Sequence, residues 1–189
     1  ACIPELPRWF DEPFADSSQI PTILVSRFAR EHVTVVLSGD GGDEVFGGYN
    51  RHVWAARHGP WLDRTPQRLR HLGATGIQAL PPDLRDRLAA PLTLRQPGEK
   101  LHKLAAVMRS KGFEETYRCL TGQGVDPFDV ISGGSEPRCA MTPPSDDPVE
   151  RMQFLDTVGY LPDDILTKVD RASMSVGLEA RVPLLDHQV

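Results

Sequence analysis

Val35–Asn50 reads VVLSGDGGDEVFGGYN: a β-branched run stops at Ser38, and three glycines and three acids follow within Ser38–Glu44. Val33, Val35, Val36 and Leu37 form a short, almost continuous apolar run, which predicts a strand near 33–37 buried on both faces of a parallel sheet. The preceding segment, SSQIPTILVSRFAREH, predicts a helix. Ser17 or Ser18 would cap it, Pro21 suits its first turn, and Ile20, Ile23, Leu24 and Phe28 would form its apolar stripe. Helix, short connection, buried strand, glycine loop and helix again is the order of an open α/β sheet, in which ligands bind beyond the carboxyl ends of the strands. Ser38–Glu44 stands at that end.

Gly39, Gly41 and Gly42 let backbone approach an anion closely, with N–H groups aimed at phosphate oxygens. Ser38 adds a hydroxyl. Asp40, Asp43 and Glu44 cannot all be phosphate ligands, because like charges repel, but carboxylates beside phosphates commonly hold Mg²⁺. The residues alone leave two readings open: a site for a metal-chelated polyphosphate, or a Gly/Asp turn with solvated acids. The spacing is neither GxGxxG nor a P-loop ending in GK[ST].

From about Phe46 to Leu120 the pattern is helical, broken at Pro81–Pro82 and at Gln96–Lys100, with Leu101, Leu104, Ala105 and Met108 marking one amphipathic helix. Thr121–Pro148 is rich in Gly, Pro and Ser and reads as a long surface excursion. Helical pattern returns at Val149. Pro162 is expected to start a new helix with Asp163 and Asp164 in its first turn, and Gly177 to end it. One domain is the default.

The chain has 189 residues, 40% of them apolar, and a formal net charge of -5. That balance argues against a nucleic-acid-binding surface. No apolar window is long enough to cross a bilayer. The start, ACIPELPRWFDEP, lacks the features of a signal peptide and has no Met, so the chain is read as a piece of a larger one. Cys2, Cys119 and Cys139 are widely spaced, without CxxC, as in a reduced cytoplasmic protein. The six histidines show no zinc-binding spacing.

VVLSGDGGDEVFGGYNRH resembles the signature of the asparagine synthetase family of glutamine-dependent, ATP-using amidotransferases. Asp11–Thr22, DEPFADSSQIPT, and Leu161–His187, LPDDILTKVDRASMSVGLEARVPLLDH, resemble two further family blocks, in the family's order. The resemblance implies an α/β fold of the PP-loop ATP pyrophosphatase type and a reaction using ATP and Mg²⁺. The side-chain carboxylate of aspartate is adenylated, and ammonia from an N-terminal glutaminase domain displaces AMP to give asparagine. It implies that Ser38 and Gly39 contact the nucleotide together with Gly41 and Gly42, and that Asp43 meets Mg²⁺ through pyrophosphate. Asp40 stands where relatives often carry glutamate, facing the acyl-adenylate. Arg171, one turn from Lys168, would neutralise phosphate charge. Glu44 and Tyr49 are read as loop structure, and Glu179 and Arg181 as a pair orienting their own loop. A homodimer is a further expectation.

Three parts of the family pattern are not found in the sequence: the SGGxDS phosphate loop, the lysine of an RxKxGF-like segment, and the glutaminase domain. Ser132–Glu136, SGGSE, lacks the aspartate and final serine and is read as a turn. The chain is therefore expected to be part of a synthetase domain and inactive alone. Two alternatives stand beside this: an acyl-adenylating relative with another acceptor, such as a β-lactam synthetase or a peptide- or polysaccharide-modifying enzyme, and a non-catalytic nucleotide-binding module.

Overall fold

The computed structural model describes residues 2–81, 97–122 and 142–188. They fall into two compact units, residues 1–52 with 142–189, and residues 53–141. Among the described residues, helices dominate and a short parallel sheet of two strands is present, as the sequence predicts for this chain. No helix among them is long and apolar enough to cross a membrane.

In the first unit, a short 3₁₀ turn and helix α1 (Leu6–Trp9) lead into α2 (Gln19–Arg30) and strand β1 (Val35–Leu37). β1 pairs in parallel with β2 (Glu179–Arg181), Val36 opposite Ala180. β2 went unrecognised in the sequence. The expected burial of β1 on both faces does not hold: Leu37 is 74% exposed and Val35 is also exposed. Two strands make a ribbon too narrow to bury either face among the described residues.

The expected stripe of α2 is corrected in the same way. Ile23 is buried beside Ser26, whereas Leu24, Val25 and Phe28 are exposed. The helix is apolar on more than one side, and the side that packs is the one facing Ala172 in the cluster of Phe10, Ile23 and Ala172. Ser18 is the residue before α2, as expected, but its hydroxyl does not cap the helix. It donates to Asp16 Oδ2 at 2.7 Å, and its amide donates to Asp16 Oδ1 at 2.8 Å. A nearby carboxylate is the stronger acceptor and takes the hydroxyl.

After β1 come α3 (Gly42–Phe46) and the start of α4 (Asn50–Arg64). The unit's other main body begins at α8 (Pro148–Leu155). Asp147 caps it, accepting from the amides of Val149 and Glu150 at 2.8 and 3.1 Å. Pro162 does not start a new helix. An i→i+5 helix, Asp156–Leu166, runs on from α8 and passes directly into α9 (Thr167–Met174), with Pro162 inside it. Proline lacks an N–H and crowds the carbonyl four residues back, so a widened ladder accommodates it where an α-helix would break. Asp163 and Asp164 accordingly lie within a helix, not in a first turn. Gly177, at φ 68°, does end the run. The Leu178 amide donates to Ser173 O and the Gly177 amide to Met174 O, the paired closure of a left-handed C-terminal cap.

The second unit is helical. It contains α5 (Gln67–Ala79), α6 (Pro97–Arg109) and α7 (Phe113–Thr121). α5 stops before Pro81, where the residue preceding proline is extended. α5 and α6 pack closely: Ala74 and Ala105 are fully buried, and a Cβ on Gly73 would lie 2.5 Å from Met108 Cε. Leu104, assigned to the apolar stripe of α6, is exposed, and Val107 is buried. Cys2 and Cys119 are free thiols, in no disulfide. Cys139, the SGGSE segment and the rest of 123–141 within the Thr121–Pro148 excursion lie outside the described residues.

Candidate active site

Hydrogen bonding carries the parallel pairing of β1 and β2 one residue past the strand end: the Ser38 amide donates to Arg181 O at 2.8 Å. This fixes the first residue of the glycine loop against β2. The next turn closes with the Gly42 amide on Gly39 O at 3.3 Å. Gly41 needs its φ of 83°, and a Cβ there would lie 2.5 Å from Leu185 Cδ2. Gly42 packs against Leu184 in the same way, at 3.1 Å. These two glycines therefore serve the approach of the 3₁₀ turn Pro183–Leu185. Gly39 differs: its side is open, with nothing within 4 Å of an ideal Cβ.

The three acids have separate environments. Asp40 accepts from the Ser38 hydroxyl at 2.5 Å, so the expected nucleotide contact and the expected catalytic carboxylate are joined. Asp43 is exposed, and among the described residues no hydrogen bond or ion pair reaches its carboxylate. Glu44 is buried and accepts from the Tyr49 hydroxyl at 2.6 Å. Burial, then the hydrogen bond and charge of Glu44, push the Tyr49 hydroxyl far above its ordinary pKa.

Around this loop lies a polar cluster that sequence reasoning missed. Asp156, fully buried, accepts from Arg51 Nε at 3.0 Å, Arg51 Nη2 at 2.8 Å and His52 Nε2 at 2.7 Å. The Arg51 guanidinium sits 3.7 Å from the Tyr49 ring centre and 4.8 Å from that of Tyr160. Gln153 Nε2 donates to Glu44 O and Val45 O at 2.9 and 2.8 Å. The signal available in the sequence was a run of polar residues, Tyr49 to His52, at the start of a helix beside a glycine pair.

The basic residues of α9 turn toward the segment before α2. Lys168 is buried and ion-paired with Asp16. Arg171 is half-exposed and pairs with Asp11 at 2.7 Å. No hydrogen bond or ion pair among the described residues joins either one to Ser38–Glu44. Glu179 and Arg181 pair at 2.8 Å on the surface, as expected of them. Asp164 carries a raised pKa, chiefly from burial.

Among the described residues, no group of three or more His, Cys, Asp and Glu is placed to hold a metal ion. An unpaired carboxylate such as Asp43 fits Mg²⁺ only in the way this ion often binds, with most of its oxygens supplied by phosphate and water.

A family model described as asparagine synthase matches residues 1–189. The chain belongs to the asparagine synthase family. It is 34% identical over 199 residues to a Mycobacterium tuberculosis protein provisionally named asparagine synthetase [glutamine-hydrolyzing], covering all of this chain and 28% of that protein. To asparagine synthetase [glutamine-hydrolyzing] 1 of Bacillus subtilis it is 33% identical over 194 residues, covering 98% of this chain and 29% of the relative. A Methanocaldococcus jannaschii protein, also provisionally named an asparagine synthetase, is 54% identical over 65 residues, which is 34% of this chain and 12% of that protein. The chain thus spans less than a third of the length of these relatives. No solved structure matches it.

Proposed function

We propose that this asparagine synthase family chain supplies the Ser38–Glu44 wall of an ATP-dependent ligase that converts aspartate to asparagine with glutamine-derived ammonia. The observation that carries this reading is the division of labour among the acids: in the loop beyond a parallel strand that also holds the open Gly39, Asp43 stands exposed against Gly48 with no hydrogen bond or ion pair to its carboxylate among the described residues, while Glu44 is buried on Tyr49. A solvated turn has no need to bury one of its acids against a half-buried tyrosine.

In this reading, ATP supplies an AMP group that makes the side-chain carboxylate oxygen of aspartate a good leaving group. The Gly39 backbone takes phosphate oxygens on its open side. The Ser38 hydroxyl turns from Asp40 to the nucleotide, which frees the Asp40 carboxylate to face the acyl group. Asp43 would hold Mg²⁺, which would supply positive charge opposite the phosphates. Arg171 exchanges Asp11 for phosphate. The glutaminase domain belongs elsewhere in the full-length protein.

ATP–pyrophosphate exchange by the full-length protein tests this. Exchange should require Mg²⁺ and aspartate. Equal exchange with unrelated carboxylates would reassign the acceptor, and nucleotide binding without exchange would make the protein a binding module.

A further inference from the structure

We infer that Gln153 and Asp156, one turn apart on a distant helix, are positioning residues that hold the acidic glycine loop in register. Helix α3 carries Asp43 and Glu44 but has only five residues, with left-handed glycines on both sides at Gly41 and Gly47. So short a helix does not hold its own place. Two carbonyls of its last turn, Glu44 O and Val45 O, receive hydrogens from the one amide nitrogen of Gln153. Three residues later in that helix, the buried Asp156 takes Arg51 through two bonds and His52 through a third. Arg51 covers the Tyr49 ring, and the Tyr49 hydroxyl returns to Glu44.

These contacts close a ring: Gln153 to Glu44, Glu44 to Tyr49, Tyr49 to Arg51, Arg51 to Asp156, and back along the helix to Gln153. Both ends of the segment 44–52 are thereby fixed to one rigid element. Asp43 sits at the edge of the ring, and Asp40 is three residues further out. His52 Nδ1 is buried with no hydrogen-bond partner among the described residues, facing the side on which Gly47 leaves room. Its other ring nitrogen, Nε2, meets Asp156. Asp156 is also the first residue of the i→i+5 segment, where the helix changes register.

The inference rests on the adenylating reading for its activity measurement, and amide hydrogen exchange tests it independently. In the full-length protein, Asp156→Asn keeps the side-chain shape and removes the charge that holds Arg51. At a temperature where the variant is folded by circular dichroism, kcat for ATP–pyrophosphate exchange should fall about a hundredfold, the effect of misplacing a reacting group by about 1 Å. The KM for aspartate should change far less. Amides of Ser38–Glu44 should exchange faster while those of α2 keep their protection. A general loss of stability would loosen both segments and leave kcat per folded molecule unchanged.

Gln153→Ala removes the two bonds to α3 without touching the buried charge, and decides the matter if Asp156→Asn does not fold. It should also loosen the loop amides selectively. Folded variants with wild-type loop exchange overturn the inference, whatever their activity. If the wild-type protein shows no pyrophosphate exchange, the adenylating reading fails, and the amide measurement still decides the positioning role.

Discussion

The Tyr49 hydroxyl donates to the Glu44 carboxylate across 2.6 Å, just after the glycine loop, and so ties down the acid next in sequence to Asp43. Tyr49→Phe should leave this buried carboxylate one donor short. The expected cost is about 1–3 kcal/mol, read as a lower urea midpoint with an unchanged slope. An unchanged midpoint would show that the bond contributes nothing.

Gly41 and Gly39 should respond oppositely to a methyl group. Gly41→Ala meets Leu185 and a φ of 83°, so it should destabilise by at least about 1 kcal/mol. Gly39→Ala meets no neighbour and should melt as the wild type does. Its methyl would stand on the open side of the loop, so ATP affinity in the full-length protein should fall. Thermal melts and ATP titration of the two variants check both halves.

The strand β1, the helix α2 and the end at Gly177 were legible because each rests on local pattern: an apolar run, a helical period and a glycine that takes positive φ. β2 was not, since Glu179–Arg181 is two charged residues around an alanine, joined to β1 by backbone bonds that leave no mark on the side chains. Pro162 misled for a related reason. Proline punctuates α-helices, and nothing local shows that this ladder widens. At the candidate site, the glycine loop following the strand and the structural role of Glu44 could be read directly. Asp156 could not, because its partners Arg51 and His52 are 105 and 104 residues away.

Asp16 gives the fold an acid-sensitive contact. Burial alone would raise its carboxyl, but the hydrogen bonds from Lys168 and Ser18, with the Lys168 charge, outweigh burial and hold it below the ordinary value. A depressed folded pKa stabilises above the unfolded value of about 4 and is lost as pH falls through the folded one. The stability gap between wild type and Asp16→Asn should therefore be constant above about pH 5 and close toward pH 2. Unfolding free energies across that range test it; a gap that stays constant would contradict it. Asp164, whose pKa is raised chiefly by burial and in part by the charge of Asp16, contributes with the opposite sign, and Asp16→Asn lessens that contribution.

Arg171 pairs with Asp11, and both side chains are substantially exposed. Arg171→Ala should cost no more than about 1 kcal/mol of stability. If Arg171 exchanges Asp11 for phosphate, the same variant should lose far more pyrophosphate exchange than stability. Proportionate losses would leave it a surface ion pair.

In the proposed reaction, Asp43 is the acid that meets the metal–pyrophosphate group. Asp43→Asn preserves shape and removes a charge that no protein group pairs with among the described residues, so the melting temperature should not move. In the full-length protein, with aspartate, ATP and Mg²⁺, pyrophosphate exchange should fall by about a hundredfold or more. Exchange at the wild-type rate would contradict the account.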